Sequence, residues 1–371
     1  MNDAVIAGYV RSPFHFAIKG ALARTRPDDL AAGVVAGLVK KTGIDPKDVE
    51  DLLLGCAFPE GEQGLNVARL ISFIAGLPQS VGAATINRFC GSSMQAVHSA
   101  AGAIALGAGE VFICAGIESM SRIPMMGFNP MPNPALAEAM PASYVSMGIT
   151  AENVAKKYAI SRLEQEEFAV ASHVKAAKAQ AQGKLRDEIV GEGVDGCIRA
   201  DTSLQALAGL KPSFDQQGVV TAGTSSPLTD GAAACLVVSA AYAKAHGLPV
   251  LARIKSIAVA GCTPELMGIG PVAATRKALQ RAGLAIGDID IIELNEAFAS
   301  QALACIRDLK IDMNKVNLDG GALALGHPLG ATGARITGKA AALLKREGKK
   351  FALATQCIGG GQGIATILEA V

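Results

Sequence analysis

Apolar and polar residues alternate along this chain in patterns that predict both helices and buried strands. Residues 161–183 begin with a capping box, Ser161 with Glu164, which predicts the start of a long helix. Three apolar residues at helical spacing predict its buried face: Phe168, Ala171 and Val174. The small, uncharged run at 231–243 predicts a buried strand with its flank, because it is too short to cross a membrane.

The order of predicted elements occurs twice along the chain. Residues 42–58 align without gaps on residues 282–298 at an offset of 240, and each stretch follows an Ala-rich amphipathic helix. The order continues in both copies, since residues 110–119 match residues 349–360. Chance similarity is the alternative, but the shared order of helix and strand favours two similar α/β halves.

The segment between the two halves differs in composition. Residues 120–147 contain six of the ten Met and five of the sixteen Pro residues, which disfavours long regular elements there. We therefore predict an N-terminal half at 1–117, an inserted loop domain at 118–246 and a C-terminal half at 247–371.

Charge and composition narrow the classes of function. The 34 Lys and Arg residues balance 33 Asp and Glu residues, and the net charge of +1 argues against nucleic acid or an anionic membrane as a partner. Half of the residues are hydrophobic but only 4% are aromatic, and 42 of 371 are Gly, which indicates a closely packed α/β core. We recognise no signal peptide, membrane-spanning stretch or peroxisomal signal, so a cytoplasmic location is expected.

The eight cysteines indicate thiol chemistry or core packing rather than metal binding or disulfides. No two of them are closer than 24 positions, so no zinc or redox pair is predicted. Cys90 ends a strand-like run and precedes small residues and a helical stripe. Unpaired N–H groups and the helix dipole at such a turn lower a thiol's pKa, which predicts a thiolate nucleophile. The alternative is a buried cysteine at a tight turn.

Three further motifs carry candidate chemistry. His327 lies in a Gly-rich loop just before a helix, where it is either a functional imidazole or a satisfied structural histidine. Cys357 ends an apolar strand and precedes GGGQG, whose glycines do not fit a dinucleotide motif but can aim N–H groups at an oxyanion. Asn295 and Glu296 end another buried strand and need partners or a function. Together these motifs predict two thiols in different roles, one a nucleophile and one a base.

Four stretches resemble the hallmark motifs of the thiolase family, in the family's order. They are NRFCGSSMQAV at 87–97, NEAF at 295–298, GHPLGATG at 326–333 and CIGGGQG at 357–363. The resemblance covers the whole chain. It implies an α/β protein with the five-layered αβαβα thiolase-like fold, made of two similar halves with an inserted loop domain that binds acyl-CoA.

The resemblance also implies a role for each motif residue. Cys90 is the nucleophile that carries the acyl group, and His327 activates it and helps to form one oxyanion hole. Asn295 holds a water that completes this hole, and Cys357 is the acid/base that exchanges the substrate's α-proton. The backbone N–H groups of Cys90 and Gly359 resemble a second hole. Four residues match positions that contact coenzyme A or cover the acyl end: Arg199, Phe214, Ser226 and Met267.

Four features depart from the family pattern. Ser146 stands where many short-chain members have a His near the pantetheine, and Ala206 replaces a Ser that is common at the coenzyme A site. The connection at 188–199 is shorter than in many relatives, and Gln356 replaces an apolar residue before the second cysteine. The first three affect the residues expected to contact the CoA nucleotide.

The expected activity is reversible, CoA-dependent cleavage of 3-oxoacyl-CoA to acyl-CoA and acetyl-CoA, as in fatty acid β-oxidation. No metal and no permanently bound cofactor is expected. The alternatives are a biosynthetic acetoacetyl-CoA thiolase, another condensing enzyme of the same fold and an inactive acyl-CoA-binding protein. A homodimer or homotetramer is expected, and a β-oxidation multienzyme partner stays open. The methionines of 120–147 are expected to line the acyl pocket or a subunit interface, and the alternative is that this stretch is a flexible surface loop.

Overall fold

A computed structural model describes residues 2–371, and this range contains ten strands and twelve α-helices. The strands are β1 (Ala4–Arg11), β2 (His15–Phe16), β3 (Asp51–Cys56), β4 (Gly82–Ile86), β5 (Val111–Ser119), β6 (Thr229–Ser239), β7 (Ala252–Gly261), β8 (Ile291–Leu294), β9 (Phe351–Ile358) and β10 (Gln362–Glu369). The helices are α1 (Pro27–Thr42), α2 (Val67–Ile74), α3 (Ser92–Leu106), α4 (Pro134–Ala139), α5 (Met147–Lys157), α6 (Arg162–Ala181), α7 (Leu204–Ala208), α8 (Ala240–Ala245), α9 (Gly270–Ala282), α10 (Ala299–Leu309), α11 (Ala322–Leu325) and α12 (Leu329–Glu347).

The sheet topology repeats, as the internal sequence similarity predicts. The strand order is β4-β3-β5-β6-β1-β7-β10-β9-β8, with β2 paired to β6. The run β3-β5-β6-β1 corresponds to β8-β9-β10-β7, with one parallel pair followed by two antiparallel pairs in each. Gly43 and Gly283, 240 positions apart, end α1 and α9 with φ of 69° and 67°, a left-handed conformation that suits glycine. The prediction of two similar halves is confirmed.

Three apolar cores give the five layers. Helices α1 and α2 pack on the outer face of the N-terminal half of the sheet. Helices α3 and α12 lie between the two halves of the sheet, and α9 and α10 cover the outer face of the C-terminal half. The predicted αβαβα architecture is therefore confirmed, and its central layer brings the N-termini of α3 and α12 together.

The helices between β5 and β6 confirm one local prediction and overturn another. Helix α6 begins with the predicted capping box of Ser161 and Glu164. The predicted apolar face is wrong, because Val174 is 56% exposed whereas Ala169 and Ser172 are buried. The reason is that α6 packs its small and polar residues against α10 and α11, a contact that hydrophobic periodicity does not reveal.

The division into three domains stays a prediction. Strand β6 lies within the range 118–246 in sequence but pairs along its length with β5 and β1. Among residues 2–371, none of the helices combines the length and the apolar character needed to cross a bilayer.

Candidate active site

Cys90 lies in a strained turn between β4 and α3. The preceding residue, Phe89, has φ of 42°, in the left-handed region that residues with a side chain rarely adopt. Ser92 stabilises the turn locally, since its Oγ accepts a hydrogen bond from Arg88 N–H at 2.9 Å and donates one to the Phe89 carbonyl at 2.6 Å. Gly91 is the N-cap of α3. The geometry therefore places Cys90, a residue that is only 9% exposed, at the N-terminus of this helix.

The N-termini of α3 and α12 pack so closely that three neighbouring positions require glycine. A Cβ on Gly55 of β3 would lie 2.3 Å from the Ser93 nitrogen, and one on Gly333 of α12 would lie 2.2 Å from the Met94 nitrogen. A Cβ on Gly116 of β5 would lie 2.2 Å from the backbone oxygen of Gly330, the second residue of α12. These backbone contacts fix the two helix N-termini beside each other.

The pKa of Cys90 departs from the sequence prediction. Burial raises the pKa of this thiol to about 11, and the negative charge of Glu118 acts in the same direction. The backbone N–H groups of Gly359 and of Cys90 itself stabilise the thiolate and oppose the shift. The prediction of a lowered pKa is wrong, because desolvation outweighs the helix dipole and these two donors. Cys90 is protonated at neutral pH and needs a base to become a nucleophile.

Cys357 is the second thiol at this place and is fully buried at the end of β9. Burial raises its pKa well above the usual value, and the charge of Cys90 contributes to the shift. The two cysteines are neighbours in the fold, because Gln356, the residue before Cys357, contacts the Cys90 carbonyl. Cys357 also belongs to an apolar cluster with Met267 and Phe298.

His327 lies in the loop just before α12, and its neighbours define its tautomer. Its Nδ1 lies 2.6 Å from Thr332 Oγ1, and that hydroxyl lies 2.9 Å from the Pro328 carbonyl, to which it donates its only proton. His327 Nδ1 therefore carries the proton donated to Thr332, and Nε2 carries the lone pair. Burial, together with the charge of Arg335, lowers the pKa of His327 to about 3. The imidazole is thus neutral and able to accept a proton at Nε2.

Asn295 and Glu296 follow β8 and use their side chains differently. Asn295 Nδ2 lies 3.3 Å from His327 Nε2, and within residues 2–371 its buried Oδ1 has no hydrogen-bond partner. The Glu296 carboxylate accepts hydrogen bonds from Ser172 Oγ at 2.7 Å and Asn317 Nδ2 at 2.6 Å. Burial raises the pKa of Glu296. Glu296 therefore ties α6 to the loop before α11, and Asn295 points toward the imidazole.

The residues matched to CoA contacts fall into two groups. Phe214 packs edge-on against Phe298, with ring centroids 5.9 Å apart, and Ser226 donates its backbone N–H to the neighbouring Ala297 carbonyl at 2.9 Å. Together with Met267, these two residues lie around Ala297 and Phe298, which are next to Cys357. Arg199 lies apart, exposed, with its guanidinium 5.2 Å from the Phe16 ring.

A small cavity of about 40 Å³ lies beside Arg199 and is also lined by His173 and by Ser225, the residue before Ser226. Of the methionines expected at the acyl pocket, Met147 adjoins the Cys357 cluster. The others within 125–140 are 44–83% exposed. Within residues 2–371, no three His, Cys, Asp or Glu side chains converge as metal ligands do.

Sequence reasoning missed two residues that hold the site together. Glu118, buried at the end of β5, accepts hydrogen bonds from Gly330 N–H at 2.9 Å and Gln63 Nε2 at 2.8 Å. Burial raises the pKa of this carboxyl group. Thr332 sets the tautomer of His327. The sequence contains a signal for each: Glu118 is the only carboxylate in a largely apolar strand, and Thr332 places a hydroxyl in the first helical turn after His327. Such polar groups in apolar surroundings need hydrogen-bond partners.

Comparison with known proteins identifies the family. Residues 4–241 match the thiolase N-terminal domain and residues 248–370 match the thiolase C-terminal domain. The 3-ketoacyl-CoA thiolases of Bacillus subtilis and Aeromonas salmonicida are 49% and 47% identical, with 100% of this chain and of each relative covered. The crystal structure of the Bacillus anthracis acetyl-CoA acetyltransferase has a TM-score of 0.91 at 40% identity, covering 100% of this chain and 99% of that one. This chain belongs to the thiolase family.

Proposed function

We propose that this enzyme is a 3-ketoacyl-CoA thiolase, which uses coenzyme A to cleave 3-oxoacyl-CoA to acyl-CoA and acetyl-CoA. The observation that carries the proposal is the meeting of two buried thiols, Cys90 and Cys357, since Gln356, the residue before Cys357, donates a hydrogen bond to the Cys90 carbonyl. A Claisen cleavage needs two such groups, because one must carry the acyl group while the other protonates the departing carbanion.

The first half-reaction begins with proton transfer from Cys90. The thiol is protonated at neutral pH because its pKa is about 11, and the lone pair on His327 Nε2 is the proposed acceptor. The Cys90 sulfur attacks the 3-oxo carbon, and the bond between C2 and C3 of the substrate breaks. The acyl group stays on Cys90 as a thioester, and the carbanion at C2 takes its proton from Cys357, which gives acetyl-CoA.

The second half-reaction transfers the acyl group to coenzyme A. Cys357, left as a thiolate by the first half-reaction, takes the proton of the coenzyme A thiol, and the sulfur of coenzyme A attacks the thioester carbon. The Cys90 sulfur leaves and recovers its proton from the His327 imidazolium. The tetrahedral oxyanion lies beside the Cys90 sulfur, where the backbone N–H groups of Cys90 and Gly359 stabilise negative charge. Each such donor contributes roughly 10²–10³ in rate.

The enolate oxygen of acetyl-CoA needs a separate site. His327 Nε2, once it carries the proton taken from Cys90, and the Asn295 side chain supply it, supported by their 3.3 Å contact and by the unpaired buried Oδ1 of Asn295 within the described chain. A water bound to Asn295 would complete this hole, since an unpaired buried oxygen requires a donor. Acyl transfer and α-proton exchange therefore depend on different thiols, Cys90 and Cys357, while His327 takes part in both.

The degradative reaction is favoured over acetoacetyl-CoA synthesis. The relatives at 49% and 47% identity are named 3-ketoacyl-CoA thiolases, whereas the acetyl-CoA acetyltransferase structure is 40% identical. The proposed substrates include medium-chain 3-oxoacyl-CoA, because Met147 beside Cys357 supplies an adaptable apolar wall. Phe214, Ser226 and Met267 are the proposed contacts for the acyl and pantetheine parts, and Arg199 for the nucleotide.

The test separates the two thiols. Cys90→Ala should abolish formation of the acyl-enzyme from acyl-CoA, as followed by intact-protein mass. Cys357→Ala should still accept the acyl group but should lose most exchange of the α-protons of acetyl-CoA with solvent. Cys114→Ala is the matched control, since Cys114 is fully buried in β5 and outside the proposed machinery. Equal failure of both active-site variants at acylation would contradict the division of roles.

The proposed assembly is a homodimer formed through β4. This strand ends the sheet order and pairs on one side only, and the adjacent α2 leaves Phe73 and Ile74 about half exposed, at 48% and 50%. An open edge beside apolar residues is a surface that another copy can cover. A homotetramer needs a second surface, for which the exposed methionines of 125–140 are the candidate. Phe73→Glu should shift the mass in solution toward the monomer, whereas Leu163→Glu should not, because Leu163 of α6 is similarly exposed, at 55%, but lies away from β4.

A further inference from the structure

We propose that Gln356 and Gln362 are positioning residues for Cys90, which hold the nucleophile turn at 88–90 from two neighbouring strands. The inference rests on the proposed role of Cys90 as the nucleophile. Both glutamines lie outside the set of residues that touch the reacting atoms.

Gln356 contacts the turn from β9. Its neighbours on the same face of β9, Ala354 and Ile358, belong to the core around the central helices, and Gln356 itself is fully buried. Its Nε2 donates a hydrogen bond to the carbonyl oxygen of Cys90. Only the NH₂ end of the amide can make this contact, because the other end would bring two oxygens together.

Gln362 contacts the turn from β10. It lies opposite Ile358 in the antiparallel register of β9 and β10. Its Oε1 accepts a hydrogen bond from Arg88 Nη1 at 2.8 Å. The two glutamines therefore anchor the residues on either side of Phe89, one through a side chain and one through a backbone carbonyl.

The turn needs such anchors because Phe89 is held at φ of 42°. A residue with a side chain persists in this conformation only where its surroundings over-determine it. Ile358 adds a steric limit, since a Cβ on Gly91 would lie 2.6 Å from its Cδ1. The position of Cys90 is therefore set by hydrogen bonds before it and after it, and by packing against the start of α3.

The cost of burying Gln356 also points to a function. Its Oε1 has no partner among residues 2–371, and an unpaired buried oxygen is less favourable than an apolar side chain of similar size. The Nε2 contact also has an electrostatic effect. It neutralises part of the negative end of the Cys90 carbonyl dipole, which otherwise opposes a thiolate on the same residue.

Loss of either glutamine should therefore slow the chemistry of Cys90 and spare that of Cys357. Gln356→Leu and Gln362→Leu remove the hydrogen bonds while keeping apolar bulk. Gln165→Leu is the matched control, because Gln165 is also fully buried. Its Nε2 donates a hydrogen bond to the Ser161 carbonyl at 3.3 Å, and its Oε1 has no partner in the described part of the chain. Each variant is assayed as the full enzyme, with its melting temperature recorded.

Three measurements decide the outcome. The first is single-turnover acylation of Cys90 by acyl-CoA, with the acyl group located by peptide mass mapping. The second is steady-state thiolysis, and the third is α-proton exchange in acetyl-CoA. For Gln356→Leu we expect acylation and kcat to fall roughly tenfold, as for the loss of one buried hydrogen bond, while KM and proton exchange stay unchanged. Alkylation of Cys90 by iodoacetamide should slow by a similar factor at every pH from 7 to 10. Gln165→Leu should change only the melting temperature.

The proposal is overturned if Gln356→Leu slows acylation and proton exchange equally, since that would be a distortion of β9 felt by both thiols. It is also overturned if Gln356→Leu and Gln362→Leu behave like Gln165→Leu. If Gln356→Leu does not fold, Gln362→Leu decides by the same criteria from β10. Acyl groups found on a residue other than Cys90 in the unmodified enzyme would instead refute the proposed function.

Discussion

Alkylation of Cys90 by iodoacetamide should accelerate steadily with pH and show no plateau near neutrality. Only the thiolate reacts, and burial raises the pKa of Cys90 to about 11. About one thiol in 10⁴ is then ionised at pH 7, and each pH unit below the pKa changes this fraction about tenfold. The rate should therefore rise about a thousandfold between pH 7 and pH 10.

The assay is pulsed labelling at four pH values, followed by digestion and quantification of the Cys90 peptide. Cys235 and Cys305, whose pKa values burial raises to about 12, are internal references that should label more slowly. The unfolded protein in denaturant gives the intrinsic reactivity of all eight cysteines. A plateau below pH 8 would refute the reasoning. It would mean that Cys90 and His327 exist as a thiolate–imidazolium pair before substrate binds, despite the depressed pKa of the imidazole.

Three other predictions follow from particular contacts. Thr332→Val should lower kcat of thiolysis by roughly 10- to 100-fold with KM unchanged, because it removes the acceptor of His327 Nδ1–H, and an unchanged kcat would contradict the assigned tautomer. Ser172→Ala should lower the free energy of unfolding in urea by about 2 kcal/mol, because the buried Glu296 carboxylate loses a donor, and an unshifted midpoint would show that water replaces it. Turnover of 3-oxoacyl-CoA with about six to ten carbons should at least equal that of acetoacetyl-CoA, since each CH₂ buried against Met147 contributes about 0.8 kcal/mol, and a steep fall in kcat/KM beyond four carbons would indicate a short pocket.

Local sequence patterns predict the features that depend on a few adjacent residues. The capping box of Ser161 and Glu164 starts α6 as expected, because its two hydrogen bonds lie within one helical turn. The turn after β4 places Cys90 before a helix, because Gly91 and the serines that follow permit a tight strand–helix connection. The duplication is also visible in the sequence, since equal spacing in the two halves reflects equal elements.

Properties that depend on distant segments cannot be predicted in this way. The helix dipole near Cys90 is a local feature that the sequence reveals. The burial of Cys90, however, results from the packing of both halves, and the charge of Glu118 comes from another strand. Both raise the pKa of Cys90, so the sequence prediction of a lowered pKa is wrong. The buried face of α6 was misassigned because Val174 faces solvent, while Ser172 turns inward to reach Glu296. A polar residue on a buried face is informative only once its partner, over a hundred positions away, is known.

The two halves have the same arrangement of strands and helices, but some equivalent positions carry different side chains. This difference follows from packing. At the offset of 240 positions, Asn295 corresponds to Gly55 and Cys357 to Ile117. Gly55 has no side chain because α3 presses against its Cα, and a Cβ there would lie only 2.3 Å from the helix backbone. This place in the N-terminal half therefore has no room for a polar group. The equivalent place in the C-terminal half holds Asn295 instead, within 3.3 Å of the imidazole. Similarity between the halves therefore identifies the repeated fold, and the positions where the halves differ carry the proposed catalytic groups.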